Sequence, residues 1–97
     1  MTKFKILYLY TWSVQRAIRE ETITLALSMI RANNGGYHKS DLIGRFMGKG
    51  LSHSIVYDLI HILKGSGWIV ERDVNRKRLL FMTVEGDQEL RTRTGEA

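Results

Sequence analysis

The side chains able to do chemistry in this chain are three histidines, a scatter of carboxylates and one unbroken run of cations, Arg76-Lys77-Arg78. Their spacing decides which chemistry is open to them. His53 and His61 stand eight positions apart, about 80° around a helix and roughly 12 Å along it, too far to share a metal directly. His38 is remote from both. Asp58 and His61 form an i, i+3 pair on a polar helix side, an arrangement that more often makes a surface contact than a catalytic dyad. With no Cys in the chain, disulfides, thiol nucleophiles and Cys-ligated zinc or iron–sulfur centres are excluded, and a reducing interior fits. The glycines fall where turns need them and do not form a phosphate-binding loop, and no pair of carboxylates is spaced for acid–base work. The expectation is a protein that is not an enzyme and holds no metal or cofactor. What remains is electrostatic. Arg76, Lys77 and Arg78 have only Asp73 nearby, and from Arg31 to Lys64 five basic residues (31, 39, 45, 49, 64) face two acidic ones (41, 58). Residues 85–96 reverse the balance, four acidic to two basic. A basic side of this kind suits phosphate or an acidic surface, and simple solubility would account for the net charge as well.

The whole chain bounds these readings. Its 97 residues support one small domain, and 43% hydrophobic content is enough to fold one. A chain of this size buries only about 60–65% of its unfolded surface, so self-association would help it. Lys3 and Lys5 precede Ile6-Leu7-Tyr8-Leu9-Tyr10, a run too short and too aromatic for a signal peptide, and no stretch approaches a membrane span. A cytoplasmic protein without membrane contact is expected.

Glycine, Asn and Ser clusters at 33–36, 48–50, 65–67 and 73–75 cut the chain into the elements that must position the cations. Residues 3–12 alternate as a strand would, through Phe4, Ile6, Tyr8, Tyr10 and Trp12, and also admit a helix through Phe4, Leu7, Tyr8 and Trp12. Residues 14–20 and 22–33 read as helix, separate with Thr22 as cap or continuous, and the second is apolar on several sides and hence central. Ser40 would cap a two-turn helix over 41–47 and Ser52 a longer one over 52–64. On that longer helix Val56, Leu59, Ile60 and Leu63 form one stripe, with Ser54, Tyr57, Asp58 and His61 on the other side. Residues 68–72 and 79–83 are β-rich and flank a polar turn over 73–78, a hairpin with a basic far limb. Thr83 would cap a last helix to about Arg91, and a frayed tail 92–97 is expected.

A short helix, a tight turn, a second helix and a hairpin are the order of a winged helix-turn-helix. The expected fold class is therefore α+β, mainly helical, a winged helix-turn-helix with a two- to three-stranded β-wing over residues 21–91. Residues 51–69 resemble the recognition helix of PadR/MarR-type regulators, with Tyr57, Leu59, Ile60, Leu63, Gly67 and Ile69 in register. Thr83, Gly86 and Leu90 repeat the Thr-x-x-Gly-x-x-x-Leu that follows the wing in that family. The resemblance spans about residues 38–91 and belongs to winged helices broadly. It implies double-stranded DNA as partner, a recognition helix over 52–64 and a basic wing over 70–80. PadR-type proteins add a C-terminal dimerisation helix, for which little chain follows Leu90, and no small-molecule effector domain is expected.

By that resemblance the groove-facing residues are Ser52, His53, Ser54, Ile55, Tyr57, Asp58 and His61. Lys39, Ser40, Arg45, Lys49 and Lys64 flank them, and Arg76, Lys77 and Arg78 stand on the wing. Their expected roles differ. Ser52 caps its helix, Ile55 would touch a thymine methyl, Tyr57 bonds phosphate or packs on the wing, and Asp58 repels phosphate unless it pairs with Lys64 or a wing cation. The wing cations would otherwise blunt a sheet edge. No Arg, Gln or Asn, the usual bidentate base readers, stands on this helix side, so phosphate contacts and DNA shape are expected to contribute more than base edges. A small transcriptional regulator is the first reading. A winged-helix protein–protein adaptor or antirepressor, or a structural or replication accessory protein reading DNA backbone, is the alternative. In residues 1–20, Tyr8, Tyr10, Trp12, Val14 and Ile18 would form a homodimer surface or pack over the domain's own core.

Overall fold

The computed structural model describes residues 20–33 and 35–96. The readings for residues 1–19, including the aromatic surface of Tyr8, Tyr10, Trp12, Val14 and Ile18, lie outside the described residues. Elements follow in the order α1 (Glu20–Arg31), β1 (Tyr37–His38), α2 (Lys39–Gly48), α3 (His53–Gly65), β2 (Ile69–Val74), β3 (Lys77–Met82) and α4 (Val84–Thr94). The fold is α+β and mostly helical, with a three-stranded antiparallel sheet in the order β1-β3-β2.

The core follows the apolar stripes. On α3, Val56, Leu59, Ile60 and Leu63 are buried, as their spacing predicts. Each such side chain stabilises the fold by about 1.5–3 kcal/mol relative to exposure. They meet Ile23, Ala26, Leu27 and Ile30 of α1, Leu42 and Phe46 of α2, and Leu90 of α4. Ile69 and Leu80 close one end from the sheet, while Leu51 and Met82 are half-buried against the cluster. Leu25, by contrast, is 38% exposed, so not every apolar side of α1 is buried.

Two glycines set the geometry between helices. Gly50 (φ 96) and Gly67 (φ 79) occupy the left-handed region after α2 and α3. In each, the glycine N–H and the next N–H turn back to the helix's last carbonyls: Gly50 to Met47 and Leu51 to Phe46, Gly67 to Lys64 and Trp68 to Leu63. These are Schellman closures, which satisfy carbonyls that would otherwise be orphaned. Ser52 then starts α3, its Oγ accepting from the Ile55 N–H at 3.3 Å.

The Thr-x-x-Gly-x-x-x-Leu stretch has a packing explanation. Thr83 Oγ1 accepts from the Gly86 N–H at 3.0 Å and donates to the Gly67 carbonyl at 2.6 Å. A Cβ on Gly86 would lie 2.0 Å from the Trp68 carbonyl oxygen. The motif thus ties the start of α4 to the end of α3, and Leu90 one turn on enters the core.

Four expectations require correction. Thr22 is inside α1 and caps nothing. Ser40 is also inside its helix; the cap position belongs to His38, whose side chain makes no capping bond. Tyr37 and His38 pair with Leu80 and Leu79, so the chain passes directly from the sheet into α2. The hairpin turn is tighter than the polar 73–78 stretch suggests: Val74 pairs with Lys77, leaving only Asn75 and Arg76 as the loop. Arg78 is consequently in β3. Finally, the last helix, expected to end near Arg91, continues through residues 92–94, and Glu96 reaches Arg31 at 3.2 Å.

Candidate nucleic-acid interface

The outward side of α3 is built by what the opposite stripe fixes in the core. His53, Ser54 and His61 are exposed, and Tyr57 and Asp58 are half-buried. Tyr57 is held on two sides: the His53 ring lies 4.5 Å away, and the Lys39 ammonium is 5.3 Å from the Tyr57 ring centre. Ile55 is half-buried and packs against the core, so its side chain is committed inward. Ser54 Oγ lies 3.4 Å from Ser52 Oγ.

The hairpin comes to the same place. An open cleft of about 490 Å³ is lined by His38, Lys39, Ser40, Ile43, Tyr57, Arg76, Lys77 and Arg78. Of the cations expected at the site, four therefore gather around one cavity. Lys49 is exposed on the α2–α3 turn, outside the cleft lining. Arg45 instead lines an adjoining groove of about 720 Å³ with Asp41, Asn33 and Met29, which shares His38 and Ser40 with the cleft. Arg31, the first of the five basic residues counted between 31 and 64, is turned to α4, where it pairs with Glu96 and Asp87.

Arg76 sits in an unusual backbone. Both loop residues have positive φ, 53° at Asn75 and 66° at Arg76. Two-residue hairpin loops favour this twist, and Asn suits the first position, but Gly ordinarily takes the second. An arginine held there costs roughly 1–2 kcal/mol of backbone strain. Arg76 and Lys77 are exposed and have no ion-pair partner among the described residues.

The residue that the sequence does not single out is Glu71. On β2 it shares the inward side with Ile69, opposite Leu80, and its side chain is 8% exposed. One carboxylate oxygen receives Lys39 Nζ at 3.1 Å and Lys64 Nζ at 3.3 Å; the other receives Arg78 Nη1 at 2.6 Å. Burial pushes the carboxyl up, but hydrogen bonds from Arg78, Lys39 and Lys64 outweigh it and hold the pKa at about 2. Lys64 is thus paired with Glu71 and not with Asp58. A signal is present in the sequence: a carboxylate on the inward register of an alternating strand requires a partner.

Among the described residues no group of three or more His, Asp or Glu is placed to hold a metal, and no helix is long and apolar enough to cross a membrane. In comparisons with protein-family models, curated proteins and solved structures, nothing matches this chain.

Proposed function

We propose that residues 21–91 form a winged helix-turn-helix domain that binds double-stranded DNA, with α3 as recognition helix and the β2–β3 hairpin as wing, in a small cytoplasmic regulator similar to the PadR/MarR type. The observation that carries this reading is the cleft where Lys39, Tyr57 and Arg76 to Arg78 meet, contributed by α2, α3 and the hairpin. Strain at Arg76 supports it, since a cation kept where glycine is preferred suggests use at the tip. The absence of Arg, Gln and Asn from the outward side of α3 favours phosphate and shape over base edges as the main determinants.

One observation favours a second reading. Val70 and Val74 are 37% and 41% exposed on the outer side of the hairpin, where Phe81 pairs with Val70. With Arg72 between them and Lys77 opposite Val74, this side mixes exposed apolar and cationic groups, a composition that suits a protein partner, as in an adaptor or antirepressor. Binding of mixed-sequence duplex measured across salt concentrations separates the two. DNA binding gives log affinity falling linearly with log salt, by about 0.9 per phosphate contacted. An adaptor gives no such line. Selection of bound fragments from random DNA then distinguishes a regulator, which enriches one motif, from an accessory protein, which enriches none.

A further inference from the structure

Three cations from three elements converge on one shielded carboxylate: Lys39 begins α2, Lys64 lies in the last turn of α3, and Arg78 stands on β3. A carboxylate offers these groups much what a phosphodiester would, two oxygens sharing negative charge at hydrogen-bonding distance. Two of the three, Lys39 and Arg78, also line the cleft beneath the wing tip. One negative charge shared by three positive ones leaves an excess of positive charge, and the two cations that line the cleft, Lys39 and Arg78, are already oriented.

We propose that Glu71 is a positioning residue for DNA: an internal stand-in for phosphate that fixes the wing against both helices and competes with the DNA backbone for Lys39, Lys64 and Arg78. This rests on the DNA-binding reading above and deepens it by naming the backbone phosphodiester as the ligand of the cleft. Free protein keeps its cations aimed and partly neutralised. Bound DNA takes over a share of their hydrogen bonds, so the carboxylate sets a ceiling on affinity for any duplex, whatever its sequence. Asp73, the other carboxylate on the hairpin, is exposed and faces Arg78 across the strand pair, yet forms no ion pair among the described residues.

The test compares the full chain with its Glu71→Gln and Glu71→Asp variants on a short mixed-sequence duplex over a range of salt. Glu71→Gln binds roughly three- to tenfold tighter at low salt, and its log–log salt slope steepens by about 0.9, one further phosphate. Glu71→Asp keeps the charge and returns the slope to the parental value. An unchanged or shallower slope in Glu71→Gln overturns the proposal, as does an equal steepening in both variants, which would indicate loosening and not charge. A second measurement needs no substitution. The side-chain carboxyl carbon resonance of Glu71 in the unsubstituted protein shifts when duplex is added, because its partners turn toward phosphate. An unmoved resonance with duplex bound overturns the proposal even if Glu71→Gln does not fold. If the unsubstituted protein shows no salt-dependent DNA binding, the functional reading falls and the inference with it; a normal parental slope with an unresponsive Glu71 removes the inference alone.

Discussion

Arg76 and Gly86 show how single side chains bear opposite loads in this protein. Gly86 is required by its neighbour: a methyl group there would meet the Trp68 carbonyl oxygen at 2.0 Å. Gly86→Ala is expected to destabilise the fold by about 2–3 kcal/mol, read as a lower midpoint in urea unfolding. Arg76 is the reverse case. Arg76→Gly relieves left-handed strain and is expected to raise stability by roughly 1 kcal/mol. The same substitution weakens binding to duplex DNA, so stability and affinity move in opposite directions. If both rise together, the tip arginine has no role in binding. For a test of the wing that leaves the Glu71 cluster intact, Arg76→Ala with Lys77→Ala is the right pair; Arg78 is a partner of Glu71, and replacing it would disturb the hairpin's attachment. The double variant is expected to weaken binding to all duplexes alike and make the salt slope shallower by up to about 1.8, two phosphates' worth.

Elements owe their positions to closures and to one charge cluster. The α2–α3 angle rests on Gly50 and on the Ser52 cap, and Ser52→Ala is expected to lower stability by about 1 kcal/mol. The hairpin is held by Ile69 and Leu80 in the core and, at its polar end, by the ion pairs of Glu71. Its carboxyl pKa is near 2 in the fold, against 4.5 without these neighbours, so the charged form is favoured by folding. The resulting stability is fully present above pH 4.5 and is lost as pH falls through about 2. Urea midpoints measured from about pH 6 to about pH 2 are expected to drop across that window, and in Glu71→Gln this part of the drop disappears. Much at this scale is legible in the sequence. Val56, Leu59, Ile60 and Leu63 announce the buried side of α3 by spacing alone, and Ser52, Thr83 and the glycines mark the ends. Three features are not. A two-residue strand such as Tyr37–His38 has no periodicity to detect, and its pairing with β3 places the start of α2 at Lys39. The turn at Asn75-Arg76 lacks the glycine that signals a two-residue loop, so the strands are longer than their apolar content suggests. The inward register of Glu71 signals that it needs a partner, but which partners it takes is not legible, because they lie at positions 39, 64 and 78 and no local pattern reports contacts between elements.

The molecule as a whole divides its charge. Around the cleft, cations from α2 and the hairpin are gathered, two of them unpaired among the described residues. Between α1 and α4 the charges cancel: Arg31 meets Asp87 and Glu96, and Arg93 meets Glu20 and Glu89. Composition carries the net charge but not this separation, since Arg31 is near α2 in sequence and turned to α4 in space. A bound duplex is accordingly expected on the cleft side alone. The most direct measurement is the change in backbone amide resonances when mixed-sequence duplex is added to the uniformly labelled chain. Residues 38–40, 52–61 and 75–78 are expected to shift together, with Arg31, Arg93 and Gly95 still. Shifts concentrated on α1 and α4, or none at duplex concentrations well above that of the protein, would contradict DNA binding through the cleft.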